Sequence, residues 1–145
     1  NELAESRYCV AGRPVSLDDV HQPMFVVGTE KDHVAPWHSV YKLHQLTDAE
    51  ITFVLTSGGH NAGIVSEPGH AGRRWREAVR RPGDPWLSED EWEGAAGPHE
   101  GSWWTSWDTW LKAKGSGREV PARQLTPRDG LFAAPGTYVH QRYED

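Results

Sequence analysis

Cysteine and methionine occur once each among the 145 residues, phenylalanine only three times, and no apolar run is long. The lone thiol, Cys9, excludes a disulfide within the chain and fits a reducing compartment. A helix that crosses a bilayer needs roughly 20 consecutive apolar residues, and no segment approaches that. No signal-peptide pattern is present either, so a cytoplasmic location is expected. Positive charge is also scarce. Against 21 Asp+Glu stand 15 Lys+Arg, a formal net charge of -6, without the basic stripe that a nucleic-acid partner requires. The one local exception, Arg73, Arg74, Arg76, Arg80 and Arg81, reads as a solvated loop or helix face. A hydrophobic share of 37% and a mean hydropathy of -0.71 are low for a self-sufficient core. Because a small chain buries proportionally little surface, this one is expected to lean on something else. It opens on Asn1, which reads as a processed protein or a piece of a larger one.

What is present is unevenly placed. Residues 1–23 read as a connector punctuated by Arg13-Pro14 and Gln22-Pro23, with one helical turn over Leu17 to Val20 behind Ser16 as N-cap. Residues 24–28 (MFVVG) are a continuous apolar run, the pattern of a strand buried on both faces of a parallel sheet. Residues 36–47 (PWHSVYKLHQLT) open with Pro, which suits a first helical turn, and Trp37, Val40, Leu43 and Leu46 supply an apolar stripe. Residues 51–56 (ITFVLT) form a second β-branched run, closed by Ser57-Gly58-Gly59. Together 24–65 predict a βαβ unit. From 66 to 101 the chain reads as loop, with short helical turns around 72–80 and 87–93. Residues 102–113 (SWWTSWDTWLKA) predict a helix capped by Ser102 and ended by Gly115. The remainder of 102–145 reads as a turn-rich tail closing in an extended GTYVHQRYED. The fold class is α/β, and there are no internal repeats.

The βαβ unit carries the chemistry. Asp32 stands a few residues beyond the first strand and His60 at the matching place beyond the second. Strands of such a unit are parallel, so both loops open at the carboxyl edge of the sheet, where open α/β sheets place ligands. A carboxylate facing an imidazole there would hold its tautomer and stabilise the imidazolium. Spacing alone leaves two readings open, since a lone Asp after a strand is commonly a turn residue and a His in a Gly-rich loop is commonly solvated. In α/β-hydrolases the triad runs nucleophile, then acid, then His. With Asp before His, the nucleophile is expected upstream of residue 1. No Gly-x-Ser-x-Gly or Gly-x-Cys-x-Gly elbow occurs in the chain.

Three segments carry a resemblance. GTEKDHVAPWHSVY (28–41), LTSGGHNAGIVSEPG (55–69) and HEGSWWTSWDTWL (99–111) are similar, in order, to the C-terminal part of class I poly(3-hydroxyalkanoate) synthases. The shared patterns are Asp-His-x-x-Pro-Trp, Gly-His-x-x-Gly and a Gly-Ser-Trp-Trp-x-x-Trp helix; the closing PGTYVHQR also resembles the family's end. The resemblance implies the C-terminal portion of an α/β-hydrolase fold: two parallel core strands with a crossover helix, a loop-rich segment and a Trp-rich terminal helix. It assigns Asp32 and His60 as catalytic residues. It implies an acyltransferase that polymerises (R)-3-hydroxyacyl-CoA through a cysteine thioester, releasing CoA, at the surface of cytoplasmic polyester granules and as a homodimer. A thioester is already activated, so no cofactor is implied. His60 would deprotonate the thiol, while Asp32 would orient His60 or help activate the 3-hydroxyl of the incoming unit. The 145 residues alone are expected to be inactive. Two alternatives stand beside this: part of an esterase, lipase or polyester depolymerase, or a non-catalytic truncated protein that binds granules or a synthase partner.

Other residues invite chemistry and are set aside. Cys9 lacks the paired glycines of a nucleophile elbow and reads as a packing or edge residue. No His-Glu-x-x-His or Cys-x-x-Cys occurs, and His33 and His38 do not share a helix face, so no metal site is expected. His33 reads as a loop-packing residue. Trp103, Trp104, Trp107 and Trp110 form an aromatic stripe whose ordinary role is to pack the last helix on the sheet, the alternative being a surface for polymer or granule. Gly58 and Gly59 are expected to permit the tight turn that aims His60.

Overall fold

A computed structural model describes residues 1–122 and 132–142. The chain divides into two units, Asn1–Gly115 and Ser116–Asp145. In the first, the connector is more ordered than its sequence suggests. Strands β1 (Cys9–Val10) and β2 (Arg13–Pro14) pair antiparallel. A 3-10 turn follows at Leu17–Asp19, with Ser16 Oγ accepting from the Asp18 amide at 3.2 Å, as expected of an N-cap.

The two apolar runs form β3 (Met24–Thr29) and β4 (Ile51–Thr56), paired in parallel from Met24 opposite Ile51 to Thr29 opposite Thr56. Every residue of β4 is buried, because the sheet continues on its other side and both faces are covered. Side chains of a strand alternate between faces. Ile51, Phe53 and Leu55 accordingly pack with Trp37, Tyr41, Trp92 and Ala96, while Val54 packs with Trp75 and Trp103. The crossing segment is helical but short: α1 (Trp37–Tyr41) runs into a 3-10 turn at Lys42–Gln45. Pro36 precedes the helix instead of opening it. Trp37, Tyr41 and His44 are its fully buried residues, with Val40 and Leu43 flanking them.

The segment 66–101 departs from its expected form. Residues 72–80 are not a helical turn: Arg74–Arg80 is a strand, β5, antiparallel to β4, and Gly97–Glu100 is a further strand, β6, antiparallel to β5. The sheet order is β3-β4-β5-β6. Arg and Glu favour helix intrinsically, but pairing with the fully buried β4 overrides that preference. Nor are the arginines a simple solvated face. Arg76 donates to the carbonyls of Glu93 and Ala96, at 3.3 and 3.2 Å, and thus caps the end of helix α2 (Glu89–Ala95). Arg80 donates to the carbonyls of His44 and Thr47. Both guanidinium heads thus find backbone acceptors. Helix α2 starts at a Ser88–Glu91 capping box and drives Trp92 against Phe53, ring centroids 5.0 Å apart.

Helix α3 (Trp104–Lys114) ends at Gly115 as expected. Its N-cap position is held by Trp103, not by the expected Ser102, and no side chain caps it; Ser102 Oγ, one residue earlier, accepts from the Trp104 amide at 3.1 Å. Phe25 of β3 meets Trp103 and Trp110, at 6.1 and 5.7 Å between ring centroids. No helix among the described residues is long and apolar enough to cross a membrane. In the second unit, residues 116–122 carry no regular structure. Tyr138–His140 form one 3-10 turn that interrupts the expected extended tail, whose last residues, 143–145, lie outside the described residues.

Candidate functional site

In-step parallel pairing puts Thr29 and Thr56 side by side, and the pairing persists past the strand ends. The Glu30 amide donates to the Thr56 carbonyl and the Lys31 amide to the Gly58 carbonyl, each at 2.9 Å. The two loops are thereby joined before either reaches its polar side chain. The first loop turns at Asp32, whose amide donates to the Thr29 carbonyl at 3.3 Å. Its carboxylate faces back into the loop: Oδ1 accepts from the amides of Val34 and Ala35, both at 2.8 Å. Oδ2 lies 2.8 Å from His60 Nδ1.

Electrostatics follow from those contacts. The Ala35 amide, the His60 ring and the Val34 amide hold the Asp32 carboxyl at a pKa of about 2, below its ordinary value. Bonding to the charged form favours that form. An ionised carboxylate can only accept, so Nδ1 of His60 carries the hydrogen of this bond, and in the neutral ring Nε2 is left with a lone pair. Exposure divides the roles. The Asp32 side chain is 8% exposed and that of His60 48%: the carboxylate is covered, and the imidazole is open to a reacting partner.

Glycines shape the second loop, though not the pair expected. Gly58 has φ +112°, and a β-carbon there would lie 2.9 Å from the backbone of Gly63, so any side chain is excluded on two grounds. Gly59 has no such restriction; a β-carbon would meet only the Lys31 carbonyl, at 3.6 Å. The essential partner is Gly63, which a reading centred on His60 passes over. Its signal is the second glycine of Gly-His-x-x-Gly. The Gly63 amide donates to the Gly59 carbonyl at 2.9 Å, closing the turn that contains His60.

The start of α3 reaches the same loop. Trp103 Nε1 donates to the Gly63 carbonyl at 3.1 Å and Trp104 Nε1 to the Ile64 carbonyl at 2.9 Å. Ser102 Oγ donates to the Ser66 carbonyl. Along the aromatic stripe, Trp103 is buried, Trp104 and Trp110 are half-buried and Trp107 is exposed.

With the motifs so arranged, comparison with known proteins becomes informative. No family model matches the chain. Curated proteins do. It is 36% identical over 143 residues to a poly(3-hydroxyalkanoate) polymerase subunit PhaC of Rhizobium meliloti, covering 98% of this chain. The chain matches part of a poly(3-hydroxyalkanoate) polymerase. Similar values hold for poly(3-hydroxyalkanoate) polymerase 1 of Ectopseudomonas oleovorans, 35% identical over 92% of this chain. For the polymerase subunit PhaC of Cupriavidus necator they are 33% over 96%. The chain spans 23% of the length of each of these polymerases. All three segments that carry the resemblance meet in one place: the Asp-His-x-x-Pro-Trp loop, the Gly-His-x-x-Gly loop and the Gly-Ser-Trp-Trp turn.

The remaining expected residues lie elsewhere in character. Cys9 is exposed in β1, its Sγ 3.7 Å from the Arg7 carbonyl, so it is an edge residue and not a packed one. His33 is exposed instead of packed in its loop.

Proposed function

We propose that Asp32 and His60 are the acid and base partners of an acyltransferase that polymerises (R)-3-hydroxyacyl-CoA, and that a cysteine outside residues 1–145 is its nucleophile. The observation that carries this reading is the 2.8 Å bond between an ionised, covered Asp32 and a half-open His60. Support comes from the poly(3-hydroxyalkanoate) polymerases that the chain resembles.

In this reading His60 Nε2 takes the proton of the cysteine thiol, and the thiolate attacks the thioester carbonyl of the acyl-CoA. The carbon–sulfur bond to CoA breaks, and the leaving CoA thiolate takes the proton back from His60. The acyl unit is now held on the enzyme. In the second half-reaction His60 accepts the proton of a 3-hydroxyl, whose oxygen attacks an enzyme-bound thioester. An ester forms and the cysteine thiolate is released. Asp32 keeps Nδ1 protonated throughout and stabilises the imidazolium. Residues 1–145 contribute as one part of the catalytic domain, and the complete protein works as a homodimer at the polyester granule.

The test is CoA release from 3-hydroxybutyryl-CoA by the full-length protein. His60→Ala should lower it by about 10²–10⁴-fold, and residues 1–145 alone should release none. Normal turnover in His60→Ala overturns the assignment. Free 3-hydroxybutyrate in place of polyester would instead support a hydrolase.

A further inference from the structure

The loop that carries His60 has little apolar anchorage of its own. Ile64 and Val65, the large apolar residues that follow His60, are 39% and 60% exposed. Gly63 and Ser66 are its buried residues, so apolar side-chain burial contributes little to holding this loop. Within the described residues the His60 ring makes one hydrogen bond, to Asp32. Its direction therefore depends on where the backbone of 59–66 stands.

That backbone is held from outside. Its carbonyls at Gly63, Ile64 and Ser66 each accept from a side chain of Ser102-Trp103-Trp104. The preceding Gly101 amide donates to the Arg73 carbonyl at 2.7 Å, which ties the same turn to the start of β5. Ser102 and Trp103 are buried, where hydrogen bonds are shielded from competing water. Trp103 is itself fixed by packing on Val54 and Phe25. The donors thus belong to a turn packed against the sheet, while the acceptors lie in a loop with few buried apolar contacts.

We propose that Ser102, Trp103 and Trp104 are positioning residues: their donors set the register of the His60 loop, and hence the His60–Asp32 hydrogen bond. The indole N–H groups thereby take a role that apolar packing would not need. For turnover it rests on the acyltransferase reading above; for the geometry of the imidazole it does not.

The experiment removes the N–H groups without changing ring shape. In the full-length protein, Trp103 and Trp104 are replaced by 3-benzothienylalanine, in which sulfur stands for N–H; the same replacement at exposed Trp107 is the control. Two quantities are read: the downfield proton resonance of His60 Nδ1–H, and the kcat and KM of CoA release. The double replacement should shift or abolish the resonance and lower kcat about tenfold or more, since small misplacement of a reacting group is costly. KM should stay as it was, and the Trp107 control should change neither reading. Trp104→Phe, at a half-buried position, should show the same changes in weaker form and serves if the double replacement fails to fold. An unchanged resonance overturns the proposal, even if kcat falls, because the tryptophans would then act on something other than His60. If the unaltered protein releases no CoA, the acyltransferase reading fails, and the resonance still decides the clamp.

Discussion

Thr29, the last residue of β3, occupies the space that any side chain on Gly63 would need: a β-carbon at Gly63 would lie 2.5 Å from Thr29 Cγ2. The end of one strand and the turn beyond the next are thus in backbone-to-side-chain contact. That closeness is what allows Asp32, beyond β3, to meet His60, beyond β4.

Gly63→Ala should therefore displace the His60 turn. Overpacking of this kind costs about 1–3 kcal/mol, and CoA release by the full-length protein should fall with it. Thr29→Ser, which removes the Cγ2 methyl, should recover part of the loss in the double variant. A Gly63→Ala protein with unaltered melting and turnover would show that the loop yields freely.

Asp32→Asn retains an oxygen for the Val34 and Ala35 amides but removes the charge that holds Nδ1 protonated. The His60 tautomer is then no longer specified, and turnover should drop by about 10²–10⁴-fold with little change in secondary structure by circular dichroism. Turnover within a few-fold of the unaltered protein would remove Asp32 from the mechanism.

Acid should act through the same carboxylate. Its folded pKa, about 2, is depressed below its ordinary value by the Ala35 amide first and by His60 next. A depressed carboxylate stabilises the fold above its unfolded pKa, about 3.9, and the contribution is lost as pH falls through about 2. The stability difference between the unaltered protein and Asp32→Asn, followed by urea unfolding, should shrink between those values. A constant difference across that window would contradict it.

His44 predicts a separate effect nearer neutrality. Burial lowers its pKa, its Nδ1 lies 2.9 Å from the Tyr41 carbonyl, and Arg80 donates to its own carbonyl. The folded state therefore binds the proton less readily than the unfolded chain. Stability should begin to fall as pH drops below about 6.5. His44→Gln should flatten that dependence in thermal melts between pH 7 and 5. A slope equal to that of the unaltered protein would assign the effect to another group.

Core packing gives a fifth handle. Trp92 is buried against Phe53, Tyr41 and Trp37, so Trp92→Ala should cost about 3–5 kcal/mol. Equilibrium unfolding reads it directly, and a loss under 1 kcal/mol would mean that α2 does not close this face of the sheet.

How much of this was legible beforehand depends on where each signal resides. ITFVLT announces a strand buried on both faces, because such burial demands an unbroken apolar run; MFVVG announces its parallel partner, but as the edge strand it leaves Met24–Val27 only half-buried. The last helix and its stop at Gly115 are likewise local, because a terminator acts over one turn. With the strands placed, Asp32 and His60 fall at one sheet edge by geometry alone, and the resemblance of three motifs selects them. Strand β5 was hidden, since RWREAVR suits a helix until β4 offers it a ladder of backbone partners. The need for glycine at 63 was hidden as well, because it arises from Thr29, far away in sequence. The same holds for the two indole N–H groups at Gly63 and Ile64. By itself the sequence determined the two parallel strands, the last helix with its stop at Gly115, and the placing of Asp32 and His60 at one sheet edge. Tertiary structure alone decided which remote side chains contact the two loops, because hydrogen bonds and steric exclusions between distant segments exist only once the sheet has brought them together.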